Sequence, residues 1–141
     1  MERIKIELPS KILFSYHFKI KENDINDAKH MGNERILVFA NKVRTEFFKF
    51  ISLQENDAAT HLGTIIANHS IQYKSEGFLG DEITCEVGVS NVTECSFDLI
   101  FHFLKSNNKT MATVRTGCVS YNYDEKKNQP LPNNFIKVFT N

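Results

Sequence analysis

The stretch Asp24-Ile25-Asn26-Asp27-Ala28-Lys29-His30-Met31-Gly32-Asn33 places two carboxylates, two amides and an imidazole directly ahead of a run with helical period. Carboxylates and an imidazole can take or return a proton during attack on a carbonyl. The first backbone N–H groups of a helix have no partner within the helix, and with the helix dipole they can hold a developing oxyanion. Gly32 and Asn33 stand where those groups begin, and Gly32 has no side chain to keep a carbonyl away. Met31, Gly32 and Asn33 are therefore candidate substrate contacts, with Asp24, Asn26, Asp27 and His30 as candidate catalytic groups. Asn26 cannot be a base, because an amide carries no charge that accepts a proton; its use is to hold water or a carbonyl by hydrogen bonds. Each residue also has a plain structural use that the sequence leaves open. Gly32 suits a turn, Asp24 and Asp27 suit Asx-turns, Asn26 is a common turn residue, and His30 can simply brace the loop.

Those residues need elements to hold them. Ile12, Phe14, Tyr16, Phe18 and Ile20 alternate with polar residues over Lys11 to Lys21, the period of a half-buried strand. The polar loop follows. From Asn33, a competent N-cap, Ile36, Ala40, Val43, Phe47 and Phe50 recur at helical spacing, and no Gly or Pro interrupts Glu34 to Gln54. Leu37, Phe39, Phe48 and Ile51 widen the apolar surface, which predicts a long helix buried on most sides, with Glu34, Asn41, Lys42, Thr45 and Lys49 on the remaining face.

A loop over Gln54 to Gly63 separates this helix from four alternating runs: Thr64 to Tyr73, Glu82 to Val89, Ser96 to Leu104 and Thr110 to Tyr123. Ser106-Asn107-Asn108-Lys109 suits a two-residue hairpin turn. The tail from Asp124 to Asn141 predicts a short terminal turn around Phe135, Ile136, Val138 and Phe139. Strand, long helix and four strands make one α+β domain over residues 1–141, with the helix covered by a curved antiparallel sheet in which consecutive strands form a meander.

Composition narrows the partners. The 17 basic and 17 acidic residues cancel, and no basic stripe is present, which argues against nucleic acid or an anionic membrane. No apolar run has the length of a signal core or a membrane span, so a soluble, cytoplasmic protein is expected. Cys85, Cys95 and Cys118 match no zinc or redox spacing and read as free, largely buried thiols; neither a metal nor a cofactor is expected. His17, His61, His69 and His102 read as surface or packed histidines. The 12 Phe and 4 Tyr, with no Trp, fall largely at alternate positions.

The loop resembles the helix-leading motif of the hotdog-fold acyl-CoA thioesterases related to 4-hydroxybenzoyl-CoA thioesterase, D-x-D-x-x-G-H-V-N-N. Asp24 matches its first acid and His30 its histidine, whereas Asn26 stands where many members keep an aspartate and Lys29 replaces a glycine. Tyr73-Lys74-Ser75-Glu76-Gly77-Phe78-Leu79-Gly80-Asp81-Glu82-Ile83 resembles a second landmark, a strand end followed by a Gly-Asp pair. The likeness spans Ile12 to Asp124. It implies a hotdog fold of order β-α-β-β-β-β and a homodimer or homotetramer that hydrolyses an acyl-CoA or related acyl thioester at a subunit interface, without a cofactor beyond the CoA of the substrate. Glu76 would then approach the start of a partner's helix as a further acid, unless it is an exposed charge before a turn. Lys74, Lys105 or Arg115 would meet CoA phosphates. The replacement at Asn26 carries an alternative: a protein of the same fold that binds an acyl thioester without hydrolysing it.

Overall fold

A computed structural model describes residues 1–55 and 63–140; His61 and most of the expected loop before Gly63 lie outside the described residues. The first strand, β1, covers Phe14–Lys19, shorter than its alternation because only these residues pair, in register Phe14 with Val87 through Lys19 with Glu82. The loop that follows holds a single 3-10 turn, Glu22–Asp24. Helix α1 spans Arg35–Glu55, one residue later at each end than the periodicity predicts. Asn33 sits in the preceding turn, and Glu34 supplies the first carbonyl of the helix, accepting from the Val38 N–H at 3.4 Å.

Strands β2 (Thr64–Tyr73), β3 (Glu82–Ser90), β4 (Ser96–Lys105) and β5 (Thr110–Asn122) follow their alternation closely. Their pairing departs from a four-strand meander. The order is β1-β3-β4-β5-β2, all antiparallel. Strand β2 lies on the far edge against β5, and the segment from Lys74 to Asp81 crosses the end of the sheet to reach β3. That crossing is fastened to the first loop: the Met31 N–H donates to the Gly77 carbonyl at 2.7 Å, and the Gly80 N–H to Ile20 at 2.9 Å. The β4–β5 hairpin has three loop residues rather than two. The Lys105 N–H donates to the Lys109 carbonyl at 3.0 Å, and only Asn108 takes a positive φ, at 65°.

The tail is more ordered than a terminal turn. A two-residue strand, β6 (Lys127–Asn128), pairs with β5, and α2 (Asn133–Thr140) buries Phe135 and sets Phe139 4.9 Å from Phe97. Ile36, Ala40, Val43, Phe47 and Ile51 of α1 are buried against the concave face of the sheet, on Phe97, Phe101, Phe103 and Val114. Of the residues that widen the apolar arc, Ile51 is buried and Leu37, Phe39 and Phe48 are half-buried, as is Phe50 of the main stripe, and Val38 is exposed. One flank of the helix therefore faces outward rather than being enclosed. Residues 1–12 run over the sheet's other face as an arm, held by buried Ile6 and by Pro9 packed on Gly88, where a β-carbon would collide with the proline ring. Cys85 and Cys118 are buried free thiols, Cys95 a half-buried one. Burial pushes Cys85 well up and Cys118 up to about 12, so these two are unreactive.

Candidate active site

The crossing after β2 and the loop before α1 form the two walls of a chamber of about 310 Å³. The loop supplies Asn26, His30, Met31, Gly32 and Asn33, the first turn of α1 supplies Ile36, the crossing supplies Tyr73 to Gly77, and β5 supplies Met111. Glu76 and His30 face each other across the mouth, Glu76 Oε1 lying 3.8 Å from His30 Nε2. Within one chain, Glu76 thus reaches the loop that leads into α1.

Hydrogen bonds assign the histidine. His30 Nδ1 lies 3.3 Å from the Met31 carbonyl oxygen, which only accepts. Nδ1 therefore carries a hydrogen, and in the neutral ring Nε2 presents a lone pair on the side of Glu76. At 3.8 Å the two are too far apart for a direct hydrogen bond and too close for a water to lie between them, so a water shared by both sits off the line that joins them.

The other acids of the loop stand elsewhere. Asp24 is buried; its Oδ1 accepts from Arg35 Nε at 2.9 Å and pairs with Nη2 at 2.8 Å, and its Oδ2 accepts the Lys21 N–H at 2.9 Å. One oxygen joins the loop to the first helical residue and the other ties back to Lys21, and Asp24 does not line the chamber. Asp27 is exposed, away from the chamber, with no ionic or hydrogen-bonding partner among the described residues. Asn26 does line it, but its Oδ1 accepts the Ala28 N–H at 3.0 Å, an Asx-turn that leaves only its NH₂ for a ligand.

The oxyanion donors shift by one residue from the expected pair. The Gly32 N–H donates to the Asp24 carbonyl at 3.0 Å and the Met31 N–H to Gly77, so neither is free. The Asn33 N–H, two residues before the first residue of α1 and so beside its positive end, has no partner among the described residues. The space that Gly32 leaves open is filled by the Glu34 carboxylate, whose oxygens would stand 2.5 and 2.7 Å from a β-carbon there. The helical period places Glu34 on the outer face of the helix. Its adjacency to a glycine before the cap is the signal that marks it. The Tyr73 hydroxyl donates to the Asn33 carbonyl at 2.9 Å, and burial, with the Glu34 charge second, raises its pKa.

Among the three lysine or arginine candidates, Lys74 alone lines the chamber; Arg115 donates to Ser70 Oγ at 3.1 Å and Lys105 lies over the Phe78 ring. Outside the chamber, His17 and His69 contact Thr84 and Thr116, and His102 contacts Thr110 and Glu86, as packed or surface histidines do. No set of His, Cys, Asp and Glu among the described residues could hold a metal ion. No helix among the described residues is long and apolar enough to cross a membrane.

A helix laid in a curved antiparallel sheet, with a polar-mouthed chamber where its N-terminus meets the crossing after β2, defines the thioesterase type of hotdog protein. The chain belongs to the thioesterase-like superfamily, whose family model matches residues 20–139. Solved structures share the fold. A 1,4-dihydroxy-2-naphthoyl-CoA thioesterase from Synechocystis is 16% identical over 89% of this chain and 94% of its own, with a TM-score of 0.76. A gentisyl-coenzyme A thioesterase is 18% identical over 90% and 100%, with a TM-score of 0.75. A Staphylococcus aureus hypothetical protein in complex with CoA is 15% identical over 95% and 85%, with a TM-score of 0.80. At these identities the likeness is one of fold. No curated protein matches the sequence.

Proposed function

We propose that the chain is an acyl-thioester hydrolase acting on an acyl-CoA or a related thioester, and the observation that carries this is the His30–Glu76 pair across the chamber mouth. His30 Nε2 removes a proton from a water beside the pair, and the Glu76 carboxylate steadies the imidazolium that forms. The hydroxide adds to the thioester carbon, and the carbonyl oxygen gains its negative charge beside the Asn33 N–H. When the tetrahedral intermediate collapses, the C–S bond breaks and the thiolate takes back the proton from His30. The Asn26 NH₂ orients the carbonyl or the water, Met31 and Gly32 shape the wall, and Lys74 meets a phosphate of the carrier.

The protein acts as a single cytoplasmic domain in a homodimer or homotetramer. Support for assembly comes from strands β1 and β2, each paired on only one side among the described residues, a state that oligomers commonly relieve. The neutral charge favours neither nucleic acid nor membrane as partner.

Thiol release from short, medium, long and aromatic acyl-CoAs tests the reading. Release from at least one class that is lost in His30→Gln supports it, and no release from any class overturns it. One observation favours a second reading: with Asn26 held in an Asx-turn and Asp24 tied to Arg35, the loop itself offers no acid to the chamber. Tight acyl-CoA binding without release would identify a non-hydrolytic acyl-thioester binding protein.

A further inference from the structure

Behind the polar mouth the chamber closes on apolar groups, and one of them is there because of an irregularity in the sheet. In the β4–β5 ladder Phe103 pairs with Ala112 and Leu104 with Thr110, so Met111 is an extra residue with no partner across that ladder. A bulge of this kind bends its strand and re-aims a side chain. Met111 is only 1% exposed, and its carbonyl accepts the Lys74 N–H at 2.9 Å and the Ser75 N–H at 3.1 Å. Those bonds fix the bulge to the segment that carries Glu76.

The floor is closed to the next layer of side chains. A β-carbon on Gly77 would stand 2.6 Å from Ile20 Cδ1, 2.8 Å from Met111 Sδ and 3.5 Å from Met31 Cβ. Ile20 and Met31 are themselves buried, so a ligand pushing past Met111 would have to displace packed core. The volume of about 310 Å³ is also small, near the low end of the roughly 300–1,000 Å³ of small-ligand pockets.

We propose that Met111 sets the acyl length this protein accepts: the thioester lies at the level of His30 and Glu76, the acyl tail ends against Met111, and the substrates are thioesters of short acyl groups. This rests on the acyl-thioester reading above. It also assigns work to the bulge and to Gly77, which the acid-base chemistry leaves unexplained. Met111 acts by excluding length, whereas the bonds that change are handled at the mouth.

The test is a series of saturated straight-chain acyl-CoAs from acetyl to palmitoyl, followed by both thiol release and equilibrium binding. In the parent, kcat/KM is expected to rise about fourfold per methylene while the tail still fits and then to fall within the series. Met111→Ala, which removes the three heavy atoms beyond the β-carbon, moves that fall to longer chains and raises kcat/KM on the first rejected chain by about tenfold or more. Gly77→Ala, whose new methyl drives Met111 into the chamber, moves it to shorter chains. Met111→Leu, close in volume, leaves it in place.

Equal turnover across the whole series, or a fall that stays put in both Met111→Ala and Gly77→Ala, overturns the role of Met111 while leaving hydrolysis intact. Binding that shows the length limit and its shift, without thiol release, supports Met111 and overturns hydrolysis instead. If Met111→Ala does not fold, the direction of the Gly77→Ala shift decides. No binding of any acyl-CoA overturns both.

Discussion

Arg35 holds Asp24 through two nitrogens on one oxygen, Nε at 2.9 Å and Nη2 at 2.8 Å, so the first residue of the helix anchors the loop that leads into it. The carboxylate is buried and its other oxygen is engaged by the Lys21 N–H. A group with both oxygens committed contributes to the fold more than to proton transfer. Asp24→Asn keeps the shape, removes the charge and leaves Arg35 facing an amide. It is expected to lower unfolding stability by about 2–4 kcal/mol, the range for disrupting a mostly buried ion pair. Turnover of the folded fraction should stay within about tenfold of the parent. Urea denaturation beside kcat checks this; undiminished stability with kcat down by about 10²-fold would make Asp24 the base after all.

His30 and Glu76 come from segments more than forty residues apart and meet only at the chamber mouth. If they act as one unit, their losses do not add. His30→Gln and Glu76→Gln are each expected to reduce kcat by about 10²-fold or more, with the double variant little worse than the poorer single one. A double variant at the product of the two single losses would show independent roles. Stability should hardly move for Glu76→Gln, since its carboxylate is exposed.

Periodicity in the sequence reports which residues are buried but not which strand pairs with which. Strand β2 is read to the residue, because Ile65 to Tyr73 alternates and is bounded by turn residues. Alternation does not say which strand lies alongside, so the pairing of β2 with β5 is invisible, and with it the crossing that brings Glu76 to His30 in the same chain. At the site, residue types identify the loop but do not rank its acids. Asp24 and Asp27 are alike as letters, and the Arg35 guanidinium separates them. Glu34 reads as helix surface until its carboxylate is seen folded over Gly32. Helix α2 is missed because eight residues are short for a periodic signal, and its burial comes from Phe97, distant in sequence.

The N-terminal arm should detach as a unit. A methyl on Gly88 would overlap the Pro9 ring and stand 2.8 Å from the Lys11 carbonyl oxygen, and the backbone contact cannot be relieved by a rotamer change. Gly88→Ala therefore lifts the arm and exposes Ile6, otherwise buried. Losing that burial weakens the arm's attachment by roughly 1.5–3 kcal/mol. Trypsin cleavage after Arg3, Lys5 and Lys11 should accelerate by about tenfold or more as the open population grows. Thiol release should stay within about twofold, because no residue of the arm lines the chamber. Unchanged cleavage would mean that the arm does not depend on Gly88.

Mild acid should weaken the fold through two histidines that are not part of the chamber. Burial lowers the pKa of His102 from its ordinary 6.5, with Glu86 opposing the shift, and burial followed by the Arg44 charge lowers that of His69. His102 Nε2 lies 2.8 Å from Thr110 Oγ1, and His69 Nδ1 2.9 Å from Thr116 Oγ1, so both rings are held between strands. Each binds a proton less readily folded than unfolded. Between the folded values and 6.5 the unfolded chain therefore holds more protons, and stability rises with pH there. The contribution is complete above the ordinary value and drains away as pH falls through the lowered ones. Urea midpoints at about pH 7.5 and about pH 5.5 should show a larger acid loss for the parent than for the double variant His69→Asn, His102→Asn. Equal losses would place the acid sensitivity in other groups and remove these two histidines from the account.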